Sequence, residues 1–210
     1  MPLAVGTVQF MFDVCTKEDG PLWDSNQTWF VDTPKLSTCF RESLLIWVPC
    51  AISLVVLLIE FLSLLKTQKQ HVALWTTLNI GRILSFCLAW IVSLIYLIRI
   101  AFYGFETGWK LLFVAILLFI TTAAFLCVTI LEFSKGIASH GASFVSLLIF
   151  IIFLSVETYS VILDIVEKAL TPSVELLNVL FLIYFSLVVF AWFLSCFAFH
   201  LQLEPDEDPE

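Results

Sequence analysis

Five apolar runs, at about residues 43–65, 75–98, 111–133, 143–165 and 176–198, take up most of the chain. Each is close to the roughly 20 residues that a helix needs to cross the hydrocarbon core of a bilayer. Backbone in lipid must satisfy its own N–H and C=O groups, so runs of this length fold as helices. Composition agrees: 60% of the 210 residues are hydrophobic, 13% are charged and mean hydropathy is +1.02. Soluble domains hold an apolar share of about 45–50%. The expected fold class is therefore an all-α membrane protein, a five-transmembrane-helix bundle with the lipid bilayer as its first partner.

The segments between the runs, Lys66 to His71, Ile100 to Lys110, Ser134 to Gly141 and Glu167 to Glu175, are too brief for a soluble domain. Consecutive helices are expected to pack antiparallel. The fifth run has a clear start signal, with Thr171 placed as N-cap, Pro172 at the first helical position and Glu175 in the first turn. The expected organisation is a polar tail over 1–42, a membrane domain over 43–198 and an acidic tail over 199–210. That last tail ends LEPDEDPE, with five acids in eight residues, and its composition predicts disorder.

The amino-terminal tail is rich in turn formers (Gly20-Pro21, Asp24-Ser25-Asn26, Thr33-Pro34) and carries the sequon Asn26-Gln27-Thr28. No basic stretch followed by a long apolar core and a small-residue cleavage site opens the chain, so a cleaved signal peptide is not expected. The sequon lies about 17 residues from the first helix, far enough for a lumenal enzyme to reach Asn26 if the tail is translocated. Of six cysteines, Cys50, Cys87, Cys127 and Cys196 lie in apolar runs, where a Cys is most often a small buried hydrophobe. Cys15 and Cys39 are the two in the polar tail. If that tail faces an oxidising compartment they are the natural disulfide partners, worth roughly 3 kcal/mol by loop-closure entropy.

An odd number of spans puts the two ends of the chain on opposite sides. Lys17, Lys35, Arg41, Arg99, Lys110 and Lys168 fall on the side of the amino-terminal tail, while Lys66, Lys69 and Lys135 fall on the other. The positive-inside rule taken alone favours a cytosolic amino terminus. The sequon and the tail cysteines make sense only outside.

Charge and motifs exclude several functions. A net charge of −8 leaves nothing to neutralise a row of phosphates, so nucleic acid is not an expected partner. There is no G-x-x-x-x-G-K-[ST] loop for ATP. His71, His140 and His200 fall in loops or at helix ends, not one turn apart on a helix, so no metal site is expected, and no Ser or Cys has a His placed to activate it. The expectation is no catalytic residue, no cofactor and no enzyme activity in this chain alone.

Ionisable residues inside the apolar runs are costly and are the residues to weigh as functional. Glu60 and Arg82 sit at similar depth on either side of the first loop, so an ion pair is one reading, snorkelling to the headgroups a second and an ion path a third. Glu157 and Asp164, seven apart, share a helix face, read as bundle-facing or interfacial acids near Arg99 or Lys110, or as a partner-binding face. The cluster Thr121-Thr122-Ala123-Ala124 allows close helix approach, more naturally inside the bundle than as a dimer seam. Trp47, Trp75, Trp109 and Tyr103 lie near segment ends, as an aromatic belt requires.

PLWDSNQTW (Pro21 to Trp29), TCF (Thr38 to Phe40) and LLIWVPC (Leu44 to Cys50) resemble the amino terminus of the long multidrug-resistance-associated proteins, in the C subfamily of ABC transporters. LEFSKGIASHG (Leu131 to Gly141) resembles that family's cytosolic loop after the third helix, and YFSLVVFAWFLSCF (Tyr184 to Phe197) its fifth helix. The pattern departs at Arg82, Glu157 and Asp164.

The resemblance implies an extra amino-terminal membrane domain with its tail outside and its C-terminal end in the cytosol. That end leads to a linker, a transport core and two nucleotide-binding domains that use ATP and magnesium. On that reading the chain is a fragment or isolated domain of a plasma-membrane or endomembrane exporter of organic anions, glutathione conjugates and drugs. It would serve trafficking, membrane retention and contact with the core or with other membrane proteins. Two other classes stay open: a free-standing membrane scaffold that binds a channel or transporter, and a small transporter or channel using Glu60, Arg82 and Glu157. The second lacks the broken helices and inverted repeat that mark a midplane site.

Overall fold

The computed structural model describes residue 40 and residues 45–67, 77–103, 109–136, 141–167 and 172–203. Five helices account for nearly all of them: α1 (Val48–Lys66), α2 (Thr77–Tyr103), α3 (Trp109–Lys135), α4 (Gly141–Glu167) and α5 (Pro172–Leu203). No strand occurs among the described residues. All five are long and apolar enough to cross a membrane, the first counted from Leu45. The protein is a multi-pass all-α membrane protein.

Local chemistry sets the helix ends. A turn at 45–47 enters α1, and Pro49 sits in its first turn, where no intrahelical N–H is needed. At the far end Thr67 leaves in extended conformation; its N–H bonds to Leu64 O at 3.2 Å and its hydroxyl to Ser63 O at 3.1 Å. Helix α3 stops at Gly136, whose φ of 79° is open to glycine and strained for other residues, and whose N–H returns to Phe133 O at 3.1 Å. Helix α5 starts at Pro172, the position its start signal indicated; Thr171 lies outside the described residues.

The helices close into a ring in the order α1, α3, α2, α5, α4 and back to α1. Among consecutive helices, α2 packs on α3 and α4 on α5, antiparallel as expected. The ring places α3 beside α1, and α2 beside α5, so α1 and α2 do not form a principal interface, nor do α3 and α4. Chain length permits this: about ten residues between α1 and α2 reach on the order of 30 Å when extended, well past a helix about 10 Å across.

Rings and small side chains fill the interior. Phe86 of α2 stacks on Phe125 of α3 at 5.9 Å, and Phe125 meets Phe150 of α4 at the same distance. Trp47 edges onto Phe113 at 5.0 Å, and Phe144 of α4 stacks on Trp192 of α5 at 5.8 Å. Thr121 and Thr122 are buried in this interior, consistent with packing within the bundle. Gly81 lets α2 and α5 approach: a Cβ placed there would lie 3.2 Å from Leu194 Cδ1. Large apolar side chains such as Leu58, Ile59, Leu84 and Phe190 face outward. In a bilayer that surface meets acyl chains.

Candidate functional site: a buried charge cluster joining four helices

Where α1 ends, α2 begins, α3 ends and α4 begins, the bundle buries three ionisable residues. Glu60 is on α1, Arg82 on α2 and Glu132 on α3, with exposures of 3%, 4% and 0%. Arg82 Nη2 donates to Glu132 Oε2 at 2.8 Å, forming a salt bridge across the α2–α3 interface. The other oxygen of the same carboxylate, Oε1, accepts from Ser143 Oγ of α4 at 3.0 Å. Glu60 lies within electrostatic reach of both Arg82 and Glu132 and faces the Ser143 hydroxyl. One helix turn nearer the loops, Lys135 Nζ donates to Thr67 O at 2.8 Å and ties the end of α3 to the end of α1.

Helices α1 to α4 contribute one residue each to the cluster. Arg82 lies in the second turn of α2 and Ser143 in the first turn of α4, while Glu132 lies in the last turn of α3 and Glu60 about two turns before the end of α1. Helices running alternately up and down bring these positions to one depth. A guanidinium and a carboxylate in this setting gain Coulomb energy but lose hydration, and the two terms nearly cancel. Removing one partner is different, costing about 3–5 kcal/mol because a buried charge is left uncompensated. The cluster therefore makes the bundle intolerant of partial assembly while adding little to its final stability.

A second polar group lies deeper. Tyr184 of α5 and Thr122 of α3 are hydrogen-bonded at 2.8 Å, both buried. The proton of Thr122 is directed at Leu118 O, 2.6 Å away, so Tyr184 donates to Thr122 Oγ1. Cys50 is fully buried at this depth of the bundle. Neither group combines a nucleophile, a base and an open space for a substrate; both are arranged to join helices.

The residues singled out from sequence fall as follows. Glu60 and Arg82 share one cluster, and the carboxylate bonded to Arg82 at 2.8 Å is that of Glu132. Sequence reasoning did not single out Glu132 or Ser143. A signal existed, since Glu132 lies within the apolar run at 111–133, three residues before Lys135 in the LEFSKG stretch. Glu157 is buried on α4; the side chain of Asp164 lies outside the described residues. So do Asn26, Cys15 and Cys39, Trp75, His71 and His140, and the side chains of Tyr103, Trp109 and His200. Of the four cysteines in the helices, all reduced, Cys50 is buried, Cys87 and Cys196 are half-buried, and Cys127 lies on the outer surface of α3.

Fold and cluster define a five-span membrane domain whose polar interior joins helices. No family model matches the chain. Its relatives include ATP-binding cassette sub-family C member 3 of Rattus norvegicus, 31% identical over 181 residues, and the protein of the same name from Mus musculus, 30% identical over 183. Each alignment covers 83% of this chain and 12% of the relative. The chain is thus related to a membrane segment of ABC transporters of the C subfamily, and spans about an eighth of the length of these relatives.

Proposed function

We propose that this chain is an accessory amino-terminal membrane domain of an ATP-driven exporter of the ABC C subfamily. Its tail lies outside the cytosol and its C-terminal end leads toward a linker and transport core. The observation that carries this reading is the 31% identity over 83% of the chain to one eighth of a much longer transporter. The described residues of this chain form five spans and a helix-joining polar cluster, and hold no group arranged for chemistry. ATP and magnesium would act in the nucleotide-binding domains of the whole transporter, and its cargo would be organic anions such as glutathione conjugates and drugs. This portion would contribute trafficking, membrane retention, and contact with the core and with neighbouring membrane proteins.

The test starts from the transcript. The reading predicts a message that continues past codon 210 into a transport core with nucleotide-binding domains. Inside-out vesicles bearing that whole protein should take up a labelled glutathione conjugate in an ATP-dependent manner. Removing residues 1–203 should lower the amount of transporter at its membrane more than the turnover of each molecule that arrives. A message with a stop after codon 210, or vesicles without ATP-dependent uptake, would refute the reading.

A further inference from the structure

The charge cluster invites a role beyond holding four helices together, and it follows from the order in which its members are synthesised. Arg82 belongs to α2, an apolar span in which an isolated guanidinium is expensive. Its bonded carboxylate, Glu132, is 50 residues further along and enters the membrane only with α3. The second oxygen of that carboxylate waits for Ser143 of α4. Glu60 precedes them all on α1. The bonding seen in the structure is therefore complete only when α1 to α4 have all been made, inserted in the correct orientation and brought together. Energetics give the same asymmetry: a completed buried pair adds little over an apolar pair of the same shape, whereas a half-completed one is strongly unfavourable.

We propose that the Arg82–Glu132 pair is an assembly checkpoint: a bundle in which Glu132 has not docked presents an intramembrane charge that membrane quality control recognises, and docking conceals it. The recognising partner is a machinery that reads ionised side chains within the bilayer. The proposal concerns the biogenesis of this chain itself and stands whether or not the chain belongs to an exporter.

The experiment measures the cellular half-life of the full chain after protein synthesis is stopped. The parent chain carries Glu60→Gln, so that the neighbouring carboxylate neither matches Arg82 nor stays behind alone. In it, Glu132→Gln and Arg82→Met each keep side-chain shape but leave one charge of the pair unmatched, and each should shorten the half-life several-fold, with blockade of the proteasome restoring the lost protein. The double variant R82M/E132Q should return to within about twofold of that parent, since no charge of the cluster is left to read. The charge exchange R82E/E132R should also outlast both singles. A purely structural role makes the same forecast for the doubles, since a half-completed pair is the unfavourable one. Phe125→Ala in the same parent separates the two, because it empties a buried aromatic site and costs comparable stability without leaving any charge unmatched. The checkpoint leaves it longer-lived than the charge singles, and a structural role makes it as short-lived. Doubles no longer-lived than the singles, singles as long-lived as that parent, or Phe125→Ala as short-lived as the charge singles would overturn the checkpoint.

Discussion

Tyr184 Oη donates to Thr122 Oγ1 across 2.8 Å in the middle of the bundle, and the Thr122 hydroxyl in turn donates to Leu118 O one turn back along α3. The three groups form a chain from α5 into the backbone of α3, between helices that are not principal neighbours in the ring. Tyr184→Phe keeps the buried ring and removes only the donor. Hydrogen bonds of this kind between membrane helices are worth about 0.6 kcal/mol on average and up to roughly 1.7. Unfolding of the purified protein by denaturing detergent should show a loss of about 1 kcal/mol for Tyr184→Phe, with Thr122→Val at least as costly because it leaves the Tyr184 hydroxyl buried without its acceptor. The double variant should cost less than the sum of the singles, and strict additivity would show that the bond contributes nothing.

A second prediction concerns the approach of α2 to α5. A Cβ at Gly81 would come within 3.2 Å of Leu194 Cδ1, the far end of a flexible side chain. Alanine at this position gains up to about 1 kcal/mol of helix propensity over glycine, and Leu194 can swing by the few tenths of an ångström required. Gly81→Ala should therefore leave stability within about 1 kcal/mol of the original. Gly81→Ile should destabilise by about 1–3 kcal/mol, as overpacking does. Adding Leu194→Ala to the isoleucine variant should recover part of that loss. No recovery would mean that something other than Leu194 limits the α2–α5 distance.

The five spans were legible in the chain because run length alone identifies a membrane helix. Their ends were less so. Hydropathy detects the apolar middle of a helix, but backbone hydrogen bonding carries α2 on to Tyr103 and α5 on to Leu203. Ring order was hidden for a deeper reason. A soluble helix advertises its buried face as an apolar stripe, whereas here Leu57 inside and Leu58 outside are chemically the same and differ only in what they touch. The legible marks of the interior are inverted: Ser53, Thr121, Thr122, Thr129 and Ser146 are all buried, so small polar residues point inward where a soluble protein would turn them out. Glu60 and Arg82 could be placed at one depth from their distance to a shared loop. Glu132 required knowing that α3 sits beside α2 in the ring.

That inversion gives a third prediction. Phe125 is buried between Phe86 and Phe150, while Phe102 is 82% exposed on α2. Dispersion contacts, not expulsion of water, hold membrane helices together, so only the first ring has partners to lose. Phe125→Ala should lower stability by about 3–5 kcal/mol, the range for emptying a buried aromatic site. Phe102→Ala should change it by less than about 0.5 kcal/mol, as surface positions do. Similar losses at both positions, read by the same detergent titration, would contradict the assigned inner and outer faces.

The last prediction concerns the amino-terminal tail, which apart from Phe40 lies outside the described residues and on which the orientation of the bundle depends. The lysine and arginine count places the tail in the cytosol, whereas the sequon at Asn26 and the pair Cys15 and Cys39 require the opposite side. The two placements differ in chemistry that gels can read. With the tail outside, the protein should shift to lower apparent mass on glycosidase treatment, Asn26→Gln should show the same mass untreated, and Cys15 and Cys39 should become alkylatable only after reduction. Replacing either cysteine by serine should then lower the stability of the tail by about 3 kcal/mol or less, with little effect on the helix bundle. With the tail inside, Asn26 stays unmodified and both thiols react without reductant, because cytosolic glutathione keeps such pairs open. That second outcome would reverse the whole bundle, turning the end where Glu60, Arg82 and Glu132 gather from the cytosolic to the outer side of the membrane.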